Sequence, residues 1–125
     1  MNKVKFWLPL PPSENRRLFP RNGRLILTSE ARQYLNSAPI AIKSELKKCA
    51  WRTVEKDLPV KFHFYFPDNR RRDTTNYLKI LCDALELGGL VSDDKFILPR
   101  VYKTIVKDCS LTVWIEAEKT KGEVK

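Results

Sequence analysis

The chain has 125 residues, 42% hydrophobic and 31% charged, which suffices for one core and excludes both a two-domain protein and a disordered one. Twenty-four basic against fifteen acidic side chains leave a net charge of +9, which favours a polyanionic partner.

Val4, Phe6 and Leu8 alternate with Lys5 and Trp7 and predict a short first strand. Pro9, Pro11 and Pro12 end it, since proline cannot feed a sheet ladder. Pro20 and Asn22-Gly23, ahead of Leu25-Ile26-Leu27, predict a small hairpin. Ser29 is the expected N-cap of a helix from Glu30 to about Trp51, with Tyr34, Leu35, Ile42, Leu46 and Cys49 or Ala50 facing inward. Pro39 within it predicts a kink, or a break after Ser37. Lys43, Lys47, Lys48, Arg52 and Lys56 are mixed with Glu45 and Glu55 and read as a solvated helix face rather than a binding stripe.

Val60, Phe62, Phe64 and Phe66 alternate with Lys61, His63 and Tyr65, the clearest strand in the chain. Its apolar face belongs in the core, so His63 reads as a solvated strand residue rather than a base. A helix from about Thr74 to Leu87 comes next, stopped by Gly88-Gly89. At about 100° per residue, Asn76, Lys79, Asp83 and Glu86 share one edge of it, opposite Tyr77, Leu78, Leu81, Cys82, Ala84 and Leu85. Phe96 to Val106 and Leu111 to Ile115 read as a closing hairpin around Lys107-Asp108, with Pro99 confining the first of them to an edge or a bulge. This order predicts one α/β or α+β domain over residues 1–118, a mixed sheet with two main helices packed on it. Residues 119–125 are expected to form a charged, disordered tail.

Cys49, Cys82 and Cys109 have neither disulfide-framework nor zinc spacing, and read as reduced, partly buried small hydrophobes. The opening Met1-Asn2-Lys3-Val4-Lys5-Phe6 does not read as a signal peptide, and no run approaches the roughly eighteen apolar residues of a membrane span. A cytosolic protein is expected.

The chemistry is densest in Asn69-Arg70-Arg71-Arg72-Asp73-Thr74-Thr75-Asn76-Tyr77-Leu78-Lys79. Arginines answer phosphate charge, and the hard oxygens of an aspartate hold Mg²⁺ or Mn²⁺. A second acidic pair, Asp93-Asp94, lies one helix length downstream. The combination points to a metal-dependent enzyme acting on nucleic-acid phosphodiesters. The plainer alternative is a solvated charge run at a helix start.

The block PDNRRRDTTNYLKILCDALELGGLVSDDKFI resembles the RusA family of Holliday junction resolvases. That family's pattern is an arginine-rich loop, an Asp-x-Asp-Asn helix start, a lysine and a later Asp-Asp. Leu8-Pro9-Leu10-Pro11-Pro12-Ser13-Glu14-Asn15-Arg16-Arg17 resembles the family's Pro-Pro-Ser-x-Asn opening, and Gly23 to Ala31 fits the family's next stretch. The resemblance covers most of the chain. It implies an Mg²⁺-dependent endonuclease, with Mn²⁺ as a substitute, that cleaves four-way DNA junctions as a homodimer. It implies a bacterial or phage-infected cytoplasm, and neither a membrane nor a small-molecule cofactor. Asp73 and Asp94 are the implied catalytic acids and first metal ligands. Lys79 is the implied catalytic lysine, contacting the scissile phosphate or protonating the leaving oxygen; the plainer alternative is a structural pair with Asp83 or Glu86. Arg70, Arg71, Arg72 and Asn76, with Asn15, Arg16 and Arg17, are the implied DNA contacts.

One position departs from the family pattern. The second aspartate of Asp-x-Asp-Asn is Thr75 here. Asp83, one turn beyond Lys79, is either the substitute metal ligand or a solvated helix acid, and its neighbour Glu86 is expected to matter far less. Asp93 is a further ligand or only the turn residue before Asp94. Two other readings stay open: a DNA-binding protein whose metal site Thr75 disables, and an unrelated nucleic-acid module with Phe62, Phe64 and Tyr65 as a stacking platform.

Overall fold

The computed structural model describes residues 3–12, 18–21, 24–70, 72 and 74–119. The element order is β1 (Lys3–Pro9), β2 (Leu18–Arg21), β3 (Arg24–Leu27), α1 (Ser29–Lys48), β4 (Leu58–Phe66), α2 (Thr75–Gly88), a 3-10 turn (Asp94–Phe96), β5 (Ile97–Ile105) and β6 (Thr112–Glu118). The period-two alternation of β1, β4 and β6 becomes burial of every second side chain. One four-stranded mixed sheet results, in the order β1-β6-β4-β5, and β2 pairs with β3 as the expected small hairpin. The turn at Asn22-Gly23 and the tail from residue 120 lie outside the described residues. The fold is α+β, as the element order predicts.

The expected closing hairpin is not there. β4 lies between β5 and β6, parallel to the former and antiparallel to the latter. Strand–helix–strand order explains it: β4, α2 and β5 form a crossover unit, and a crossover helix delivers its second strand parallel to its first. β4 is the strand most apolar on one face, so it gains most from partners on both sides. Pro99 keeps β5 at the edge, as its missing N–H requires.

The core is the helix-facing side of the sheet. Phe62, Phe64 and Phe66 of β4 pack there with Val4, Phe6 and Leu8 of β1, Ile42 of α1, and Ile80, Leu81, Ala84 and Leu85 of α2. Burial of Phe62 and Phe64 removes the stacking-platform reading. On the other face, register lines up Trp7, Trp114, His63 and Tyr102 across all four strands. His63 stacks on Tyr102 at 4.5 Å between centroids, a packed strand residue rather than a base.

α1 is capped by Thr28, not Ser29: the Thr28 hydroxyl accepts the Ala31 N–H at 3.2 Å. The helix runs unbroken through Pro39, which is buried along with Ala38 and Ile42. Burial of that stretch offsets the hydrogen bond that proline cannot donate. The chain leaves the helix at Cys49, and Ala50 adopts φ +54° and is exposed, so Cys49 and not Ala50 packs inward. α1 meets α2 where Gly88 has no side chain: a Cβ there would lie 2.6 Å from Ile42 Cγ2 and 2.8 Å from Ile42 Cβ. Close contact at this point sets how near α2 lies to α1.

Candidate active site

α2 buries Ile80, Leu81, Ala84 and Leu85 and partly buries Tyr77, Leu78 and Cys82. The edge left over carries Asn76, Lys79, Asp83 and Glu86, as the helical period predicts. Lys79 Nζ lies 3.4 Å from Asp83 Oδ1 and 3.7 Å from Asp94 Oδ2. One ammonium therefore joins an acid of α2 to an acid of the following loop.

The loop reaches that position because it is strapped. Gly89, at φ +96°, caps α2 in the left-handed conformation that glycine adopts without strain. The Leu90 carbonyl accepts from Trp51 Nε1 and from the Val54 N–H, both at 3.1 Å, and the Ser92 N–H donates to the Val54 carbonyl at 2.9 Å. Asp93 then caps the 3-10 turn, its Oδ1 accepting the Lys95 N–H at 2.9 Å. The Asp94 N–H turns the other way and donates to Glu86 Oε1 at 3.0 Å. Glu86, Asp93 and Asp94 each bring a carboxylate oxygen within 4.8 Å of the others. Clustered hard oxygens are the donor set that Mg²⁺ or Mn²⁺ takes, so the residues present fit such an ion.

Partial burial raises the Asp83 carboxyl above its ordinary pKa, and the nearby Asp94 charge adds to the rise while Lys79 opposes it. Burial likewise pushes the Cys82 thiol up to about 12, with help from Asp94 and Asp83. Cys82 is thus a neutral packing residue beside the acids and not a nucleophile.

The arginine loop divides its members. Asp68 accepts the Arg70 N–H at 3.0 Å and Arg72 Nη1 at 2.9 Å, and these bonds hold its carboxyl below the ordinary carboxylate range. The Arg72 guanidinium also sits 4.8 Å from the centroid of the Phe66 ring, and its side chain is only 12% exposed. Arg70 is 76% exposed. Asp73, Arg71, Asn15, Arg16 and Arg17 lie outside the described residues. Two participants escaped sequence reasoning, Asp68 and Glu86. Asp68 had a signal in its spacing to Arg70 and Arg72, an aspartate turn followed by an (i, i+4) pair. Glu86 had its place on the polar edge of the helix, but its partner is a backbone N–H in another element, which no spacing reveals.

A family model described as Endodeoxyribonuclease RusA matches residues 9–118. The chain belongs to the RusA family. It is 34% identical over 106 residues to the crossover junction endodeoxyribonuclease RusA of Shigella sonnei strain Ss046 and to that of Escherichia coli strain K12, covering 82% of this chain and 84% of each relative. The enzyme of the same name from Enterobacteria phage 82 is 33% identical over the same extent. The span matched to the RusA family contains every candidate residue named above, from Asn15 to Asp94. A recess of about 420 Å³ opens elsewhere, lined by Lys61, Arg100, Tyr102 and Glu116 on the sheet's other face. A smaller recess of about 230 Å³ lies beside the acids, lined by Asp83 and Glu86 with Leu35 and Leu87. Among the described residues, no helix is long and apolar enough to cross a membrane.

Proposed function

We propose that this chain is a metal-dependent Holliday junction resolvase, an endonuclease that hydrolyses phosphodiesters in four-way DNA junctions. The observation that carries the reading is Lys79 held between Asp83 and Asp94, in a chain of the RusA family. Asp94 and Asp73 would be the first holders of Mg²⁺, and Asp93 or Asp83 would take the role left open by Thr75. The bound ion supplies an activated water and neutralises phosphoryl charge. Lys79, its side chain half exposed, meets the scissile phosphate or gives a proton to the leaving oxygen. Asn76 orients the phosphate. Arg70 grips the backbone directly, with Arg71, Asn15, Arg16 and Arg17, while Arg72 holds the loop in shape through Asp68 and Phe66. Two copies related by a two-fold axis present two such sites to a junction of near two-fold symmetry. The enzyme acts in the cytoplasm of a bacterial or phage-infected cell.

Purified protein is expected to cleave a synthetic four-way junction, and not the matching duplex, only when Mg²⁺ or Mn²⁺ is added. If it is inert with both ions and Thr75→Asp restores cleavage, the acid at position 75 is required and the chain only binds junctions.

The loop arginines are expected to behave differently from one another. Arg70→Ala lowers the slope of log K against log salt by about one, the loss of one phosphate contact. Arg72→Ala instead lowers the melting temperature, because Asp68 and the Phe66 ring lose their shared partner. Equal salt slopes for Arg70→Ala and wild type, measured by binding across a salt series, would count against the grip.

A further inference from the structure

We propose that Glu86 is a positioning residue for Asp94: its carboxylate pins the Asp94 backbone so that the Asp94 side chain is presented to Lys79 and the metal. The inference rests on the reading of Asp94 as a metal-holding acid.

The first N–H groups of a short helical turn have no partner within the turn. Here they are satisfied separately. Asp93 takes the Lys95 N–H itself, and the Phe96 N–H donates to the Asp93 carbonyl at 3.1 Å, so both ties are local. The Asp94 N–H alone reaches another element, Glu86 on α2, eight residues earlier in the chain. This bond and the Lys79 contact both tie Asp94 to the helix. Lys79 and Glu86 stand on the same edge of one rigid helix, so the amide of Asp94 and its carboxylate are held in a common frame. A carboxylate acceptor makes that bond stronger than a neutral one. It also brings Glu86 into a cluster with two other acids, a repulsive arrangement that a packing role alone does not call for.

Three variants separate the possibilities. Glu86→Gln keeps an oxygen acceptor without the charge. Glu86→Ala and Glu86→Met remove the acceptor, and the second keeps the length and helix propensity should the first fold poorly. Single-turnover cleavage, junction affinity and hydrogen exchange of the Asp94 amide are measured for each. Glu86→Gln is expected within about threefold of wild type in rate, with the amide still protected. Glu86→Met and Glu86→Ala are expected to cleave about 10- to 100-fold more slowly, the usual effect of a misplacement of about 1 Å, with junction affinity unchanged and the amide exchanging faster. Wild-type rates in all three overturn the proposal. Equal and large losses in Glu86→Gln and Glu86→Met also overturn it, because they assign the effect to the charge itself rather than to the hydrogen bond. Asp94→Asn serves as the control. If it cleaves at the wild-type rate the reading of Asp94 fails, and the positioning role fails with it. If it is inert, the Glu86 variants judge the positioning role alone.

Discussion

Asp94→Asn is expected to slow junction cleavage by about 10²- to 10³-fold or more, the scale of losing one preorganised charge at a phosphoryl-transfer site. The change keeps the side chain's size, so the 3-10 turn and its bond to Glu86 survive. Junction affinity is expected to hold or tighten, because one negative charge fewer faces the phosphates. Asp73→Asn is expected to behave alike. Single-turnover cleavage beside a gel-shift titration separates the two effects. Cleavage near the wild-type rate, or a parallel loss of binding, would remove Asp94 from the metal site.

Lys79→Ala is expected to lower cleavage by about 10²- to 10⁴-fold, the range for losing a positioned proton donor or phosphate contact. It also carries a stability signature with a definite sign. Asp83 already has a folded-state pKa above the ordinary value of 3.8, chiefly through burial, and Lys79 is the group that restrains the rise. Without Lys79 the folded pKa climbs further. A raised carboxyl pKa favours the folded state below the unfolded value, and that advantage is lost as pH rises through the folded value. Lys79→Ala is therefore expected to melt below wild type at pH 7, with the gap closing as pH falls below about 4, near the unfolded value. Lys79→Arg, which keeps the charge, is expected to recover stability more than activity. A melting-temperature gap independent of pH would show that the ion pair is not its cause.

Much of the molecule comes from periodicity. The alternation in β1 and β4 marks which face is core, and Pro99 marks β5 as an edge strand. The helical period of α2 places Lys79, Asp83 and Glu86 on one edge whatever the rest of the chain does. These are local consequences of backbone geometry, and a single sequence carries them in full. The family motif adds Asp73 and Asp94 by position along the chain.

The tertiary structure decided the rest, for reasons of distance along the chain. Neighbouring strands in sequence read as a hairpin, yet β5 and β6 are separated by β4, because the crossover through α2 delivers β5 beside β4 first. A proline reads as a break, yet α1 continues through Pro39 because burial of that stretch outweighs one missing bond. Arg70 and Arg72 read as equivalent charges and both pair with Asp68, yet Arg72 bonds it at 2.9 Å and stacks on Phe66 while Arg70 stays 76% exposed at a looser 3.7 Å. Glu86 reads as an indifferent helix acid, and its meaning comes from an amide that only the strapped loop brings within 3.0 Å. Sequence determines which faces are apolar and which residue types are at hand. Which of them meet depends on packing between distant segments, and no local pattern encodes that.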